Sequence, residues 1–328
     1  MTIHIFKLTI RLFQTYSINL FLTAILCGFF IINNSRILHA EELKTELKSG
    51  IQQILINAVP RIPRKEFGKL PKGLQVVEAP NFRGVKVYVG YMCIKADSWR
   101  EDIGLLERYK VLAEEDEKLV FAVNGTFYSS RGVLGHLITD GTIPTVPKQF
   151  PGTLPRCFLV SFKGIKGSQH WFIGETTVST SVIKSNIFDK VWFNGDNPIG
   201  SPIDQLLGGG GWILRDRRDV HNESYDRQRF RFYDEDKTAR RTVVAQDTDR
   251  NLYFIIFEAG QTLHMIAREL VKNPIFKDVK DAFFLDGGAS SCMVLKGKYL
   301  VSPLYLVDKA RFSAITVSKE DISWTSGL

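Results

Sequence analysis

The chain has 328 residues, 44% of them hydrophobic and 24% charged, a globular balance that excludes a disordered or low-complexity polymer and leaves room for one large domain or two ordinary ones. A formal charge of +8 suits anionic partners such as phosphorylated glycans, nucleic acid or anionic lipid, and by itself selects none of them. The four cysteines are too few and too scattered for a disulfide framework or a cysteine-built metal cluster, and at most one bridge can form among Cys93, Cys157 and Cys292.

At the N-terminus, Lys7 and Arg11 precede an uncharged run at 18–32, INLFLTAILCGFFII. That run is shorter than the ~20 residues a spanning helix needs, and Leu38-His39-Ala40 places a small residue before Glu41-Glu42. Residues 1–40 therefore read as a secretory signal cleaved after Ala40, with an uncleaved membrane anchor as the alternative. The expected location is periplasmic or secreted. Residues 41–73 follow as an N-terminal helix, with Leu43, Leu47, Ile51, Ile54 and Leu55 on its apolar side, and a basic, proline-containing linker.

From residue 74 the pattern changes to strands. Segments 74–79 (LQVVEA) and 84–95 (GVKVYVGYMCIK) flank a turn at 81–84, and alternating β-branched and aromatic residues mark both as strands. Between 99 and 118, Ile103, Leu105, Leu106, Tyr109 and Leu112 recur at helical spacing. The strand at 119–123 then stops at Asn124-Gly125-Thr126, and a further segment runs from 134 to 143. Strands at 157–163 and 171–175 bracket a Gly-containing turn, and another strand at 191–193 ends in a turn. Four consecutive glycines, Gly208 to Gly211, precede Trp212 without the Lys-Ser or Lys-Thr of a nucleotide phosphate loop. Close approach of backbone to backbone, or to a ligand, accounts for them.

Residues 215–241 interleave nine basic with seven acidic side chains, a mixed-charge mobile loop lacking the aromatic platforms of a single-strand binder. No nucleic-acid partner is expected. Arg241 opens a strand at 242–246, where its forked donors suit a phosphate. After a turn at 247–251, the strand 252–257 ends at Glu258, and Thr262 caps a helix through Lys272 striped by Leu263, Ile266, Leu270 and Val271. His136 and His264 lack ligand spacing and read as structural or solvent-facing, so no metal site is expected. Phe283-Phe284-Leu285 next runs into Asp286-Gly287-Gly288-Ala289-Ser290-Ser291, a second apolar strand that stops at a polar side chain and glycine. Asn124 and Asp286 converge if their strands are neighbours. A turn at Lys296-Gly297-Lys298 and a strand at 314–317 complete the pattern.

Asn124-Gly125-Thr126-Phe127-Tyr128, Thr139-Asp140-Gly141, Gly208 to Leu214, Arg241-Thr242 and Leu285-Asp286-Gly287-Gly288-Ala289-Ser290 occur in this order. In this succession the chain resembles the phosphodiester glycosidase family over about residues 75 to 320. The resemblance implies an α+β fold, a mixed β-sheet core with flanking helices, in a single catalytic domain at 74–328. It also implies hydrolysis of the bond between a sugar and a phosphodiester in an extracytoplasmic glycan or glycoconjugate. Asp286 would then be nucleophile or general base and Arg241 would stabilise the departing phosphate, with Asn124, Gly125, Thr242, Gly287, Gly288 and Ser290 binding substrate. Glu258 and Asp140 are candidates for a second carboxylate. No cofactor is expected, and a divalent cation held by Asp286 is the other use of that carboxylate. Thr126 and Ala289 stand where family members often carry glycine, which bears on specificity. The alternative is a non-catalytic secreted protein that holds an anionic cell-wall glycan in the same pocket. Membrane contact is expected only through an uncleaved N-terminal segment.

Overall fold

In the computed structural model the described residues are 64–320, apart from 100, 102, 130–131, 135, 144–153, 163–169, 180–181, 188–189, 195–196, 200–202, 231–238 and 305–307. The expected signal or anchor, the N-terminal helix and the turn at 164–167 lie outside them. Among the described residues no helix is long and apolar enough to cross a membrane.

Leu74–Ala79, Phe82–Val87, Leu252–Gln261, Ala239–Asp247, Val279–Phe284, Trp212–Arg215 and Arg218–Asp219 form a seven-stranded sheet in that spatial order. Lys298–Val301, Met293–Leu295, Leu119–Asn124, Ser313–Lys319 and Met92–Ser98 form a five-stranded sheet facing it. A second seven-stranded sheet includes His170–Ser179, Arg156–Phe162 and Ile203–Gly208 as consecutive neighbours. Every strand pairing in these sheets is antiparallel. The fold is thus β-rich with few helices, and its antiparallel sheets correct the expectation of a mixed core. Parallel pairing needs crossover connections of a dozen or more residues, whereas many successive strands here are joined by short turns.

The facing sheets explain the long apolar runs. Successive residues of a strand point to opposite faces, and in the Ala239–Asp247 and Leu252–Gln261 strands both faces are covered. Val244, Phe254 and Ile256 join the core shared with Phe121, Ile315 and Val317 of the five-stranded sheet, where the Phe121 and Phe254 rings lie 5.8 Å apart. Val243, Ala245, Ile255 and Phe257 instead pack with Leu263, Ile266, Ala267 and Leu270 of the Leu263–Lys272 helix. The outer side of the five-stranded sheet is covered by the Leu105–Glu115 helix through Leu105 and Tyr109, against Ala122 and Val294. The order of layers is helix, sheet, sheet, helix.

Local signals held where they rested on short-range chemistry. Thr262 Oγ1 accepts from the Met265 N–H at 3.2 Å and caps the last helix. Ala267 replaces Val271 on its buried stripe, and Val271 is exposed. The segment 84–95 is not one strand: it breaks at a short 3-10 turn, Val89–Tyr91, and crosses from the seven-stranded to the five-stranded sheet. Within the basic stretch, Trp212–Arg215 and Arg218–Asp219 form a hairpin and His221–Asp226 a six-residue helix, while residues 231–238 lie outside the described residues. All three described cysteines are free, Cys157 and Cys292 buried and Cys93 partly so.

The glycine run serves packing. A Cβ on Gly209 would stand 2.3 Å from the Phe283 ring, one on Gly210 2.2 Å from the Phe284 ring and one on Gly211 2.3 Å from Ser224 Oγ. Backbone bonds from Gly209 to Cys157 and from Gly210 to Phe284 show the same close approach between sheets.

Candidate functional site

The Val279–Phe284 strand pairs with Ala239–Asp247 so that Phe284 stands opposite Val243. The Leu285 N–H continues this ladder to Thr242 O at 2.8 Å, and Asp286 is the first residue to leave it. Thr242 lies two residues from Val244 and shares its side of the sheet, toward the five-stranded sheet. There the Leu119–Asn124 strand ends. Asn124 and Asp286 therefore meet, as they would if their strands were neighbours, but across the gap between two facing sheets and not within one sheet.

A closed set of hydrogen bonds joins the two strand ends. Asn124 Nδ2 donates to Asp286 O at 2.8 Å, and the Asp286 N–H donates to Gly125 O at 3.3 Å. Asn124 Oδ1 accepts from Thr242 Oγ1 at 2.8 Å and from the Cys292 N–H at 3.3 Å. Because the single Thr242 proton goes to Asn124, the 3.0 Å contact between Thr242 and Ser291 hydroxyls is donated by Ser291. Asn124 and Thr242 are closed off from solvent and support the turn through these bonds. Gly125 is equally internal in role: its N–H donates to Ser313 O at 2.9 Å, and a Cβ there would stand 2.5 Å from Ser313 Oγ.

Asp286 itself is half-buried. The protein packed around its carboxyl excludes most water, and this desolvation pushes it up from 3.8 to about 6, against the hydrogen bonds from Ser290 and from the Gly287 N–H that pull it down. The Gly287 bond to Oδ1 is 2.9 Å. The two glycines have different causes. Gly288 has φ +63 with open space around it, whereas a Cβ on Gly287 would lie 2.9 Å from Arg240 O. Gly287 thus makes room for protein, and Gly288 for the left-handed turn.

Arg241 is almost wholly buried. It lies inside the Ala239–Asp247 strand opposite Phe257, beside an irregularity in register, not at the strand's first residue. Its Cδ stands 3.8 Å from the place of a Gly287 Cβ, which brings it to the Asp286 turn. Sequence reasoning passed over Arg240. That side chain is also buried, its Nη1 donates to Ser302 O at 2.6 Å, and burial pulls its guanidinium below the ordinary range, against the attraction of Glu258. Glu258 is buried and near enough to Arg240 for its charge to act on that guanidinium. Asp140 is exposed on another sheet's edge, where Gln205 Nε2 at 2.8 Å and Lys95 Nζ at 3.5 Å hold it. Among the described contacts nothing joins Asp140 to the Asp286 turn.

His264 is exposed, as expected of a solvent-facing residue, but is not alone: its ring centroid lies 5.1 Å from that of His221. Burial and the nearby Arg156 push the half-buried His136 down to about 4, so its ring stays neutral at physiological pH.

With this geometry in view, comparison with known proteins gives a consistent answer. The family model for phosphodiester glycosidases matches residues 117–311, more than half of the chain and all of the Asn124-to-Asp286 site. The fold is similar to the zebrafish N-acetylglucosamine-1-phosphodiester alpha-N-acetylglucosaminidase catalytic domain auto-inhibited by its pro-peptide, with 18% identity, a TM-score of 0.51, and coverage of 76% of this chain and 82% of that one. It is also similar to a protein of Burkholderia pseudomallei described as exported, at 10% identity and a TM-score of 0.51, covering 72% of this chain and 73% of that one. A sequence search of curated proteins finds no match.

Proposed function

The chain belongs to the phosphodiester glycosidase family, and from that premise we propose that it is a hydrolase that cleaves the bond between a sugar anomeric carbon and a phosphodiester oxygen. The observation that carries the reading is a raised, half-buried carboxyl on a turn that lies close to an almost wholly buried arginine. At pH 7 Asp286, held at about 6, is mostly ionised and still basic enough to accept a proton, which suits a nucleophile or general base. Water adds across the bond, giving a free sugar and a phosphate monoester. Ordinary glycosidases use a second carboxyl as acid because an alkoxide leaves poorly. A phosphate is a far better leaving group, so fixed positive charge suffices, and Arg241 would supply it. Glu258, buried beside Arg240, is the nearer candidate if an acid takes part. Asn124 and Thr242 hold the turn from beneath, and Ser290 orients the carboxylate through its hydrogen bond.

The substrate class is a sugar-1-phosphodiester of an extracytoplasmic glycan or glycoconjugate, in keeping with the N-terminal apolar run of the sequence. The test is release of free sugar from uridine diphosphate N-acetylglucosamine and related diesters by the purified protein, followed for the parent and Asp286→Asn. Turnover by the parent, with binding but no turnover by the variant, is the expected result. Equal turnover by both removes Asp286 from the chemistry, and binding without turnover by the parent returns the protein to the glycan-holding alternative.

A further inference from the structure

Away from the Asp286 turn, three ligand-type side chains from separate elements converge. Asp219 ends the Arg218–Asp219 strand, His221 begins the His221–Asp226 helix, and His264 lies one residue into the Leu263–Lys272 helix. One ligand atom from each lies within 4.8 Å of the other two. Asp219 Oδ1 is 2.5 Å from His221 Nδ1, and its other oxygen, Oδ2, is 3.5 Å from His264 Nδ1. The His221 backbone N–H donates to the same Oδ1 at 3.2 Å, which fixes the carboxylate before any ligand arrives.

A simple ion pair accounts for only half of this arrangement. One carboxylate edge holds one imidazole well, yet here a second imidazole is brought to its other oxygen at a distance beyond a good hydrogen bond. A cation at the centre accounts for all three side chains, since each imidazole offers a ring nitrogen and the carboxylate an oxygen as ligand. Ligand atoms around a tetrahedral zinc ion, with Zn–N and Zn–O of about 2.0–2.2 Å, stand about 3.3 Å apart. The Oδ2–His264 distance is close to this spacing and the Oδ1–His221 contact would open by under about 1 Å, while the imidazole nitrogens, already within 4.8 Å of each other, would close to about 3.3 Å by side-chain rotation. The donor set of two imidazoles and a carboxylate is of the kind that zinc and its neighbours in the first transition row take. The side chains of Asp219 and His264 are 32% and 61% exposed, so water can fill the remaining position and the ion has a way in.

We propose that Asp219, His221 and His264 bind one divalent transition-metal ion of the zinc type, which clips the two helices to the hairpin. The site is separate from Asp286 and takes no part in the reaction proposed above. Its function is to fasten the His221–Asp226 helix and the Trp212 hairpin to the Leu263–Lys272 helix.

The experiment uses the full chain, purified without a histidine tag, stripped with a chelator and titrated with Zn2+ and with Co2+. One equivalent of Zn2+ should bind and raise Tm by several degrees, and Co2+ should give the visible absorption of a low-symmetry site. His264→Ala, at an exposed position that the fold tolerates, should weaken Zn2+ binding at least ten-fold and abolish both the Tm rise and the Co2+ band, while leaving the metal-free Tm unchanged. Asp219→Asn should weaken binding in the same way. A parent whose Tm and Co2+ spectrum do not respond to metal overturns the proposal, as does a His264→Ala variant that binds Zn2+ as tightly as the parent.

Discussion

In Asp286→Asn the side chain keeps its size and an acceptor for the Gly287 N–H, loses its charge, and exchanges one acceptor oxygen for an NH2 donor. The native carboxyl is raised from 3.8 to about 6 by burial, so between those values the folded protein binds more protons than the unfolded chain. Its contribution is therefore favourable below about 3.8 and is lost as pH rises through about 6, the reverse of a salt-bridged carboxylate. The full raise corresponds to ~3 kcal/mol at 1.36 kcal/mol per pH unit. Partial exposure to water reduces this to about 2 kcal/mol, equivalent to roughly 4–8 °C in Tm for a domain of this size. Thermal unfolding of parent and variant at pH 7.5 and pH 4 measures it. The variant should be more stable at pH 7.5, with the gap closing at pH 4, and should have lost turnover. A variant no more stable than the parent at pH 7.5, or an offset equal at both pH values, refutes the account of a carboxylate held ionised at a cost. In the parent, kcat/KM should rise with pH through about 6 and then level, as the free enzyme's carboxyl ionises.

Thr242→Val removes the hydroxyl that donates to Asn124 Oδ1 and accepts from Ser291. Leaving these buried partners short should cost about 1–3 kcal/mol by denaturant titration and lower kcat, because the Asp286 turn loses its support; unchanged stability would contradict the network. Gly287→Ala sets a Cβ 2.9 Å from Arg240 O, so the turn must shift, and sugar release should fall at least ten-fold, by roughly the effect of a misplacement near 1 Å, in a protein with a native-like unfolding transition. Thr262→Ala removes the cap that receives the Met265 N–H and should cost about 1 kcal/mol without altering turnover, which separates helix stability from the site.

What the sequence determined by itself was local. The Asp286 strand end, the Thr262 cap and the turn at 247–251 were legible because each depends on residues within a few positions of one another: the apolar Phe283 to Leu285 before a glycine pair, a hydroxyl three residues before the N–H it receives, and Asp247, whose side chain accepts the Asp249 and Asn251 N–H groups at 3.0 and 2.8 Å. The order of short motifs carried the family as well, since that order survives when each motif alone is weak. The tertiary structure decided which strand ends face each other. An alternating strand shows that it has two faces but not which sheet lies opposite, so Asn124 was legible as a strand end and not as the support of Asp286 across a sheet gap. The same limit hid Arg240, whose burial depends on the strands around it, and the meeting of Asp219 and His221 with His264, which lie on elements far apart in the chain. It also explains the antiparallel sheets, because strand direction is fixed by how the chain returns and not by the residues that make a strand.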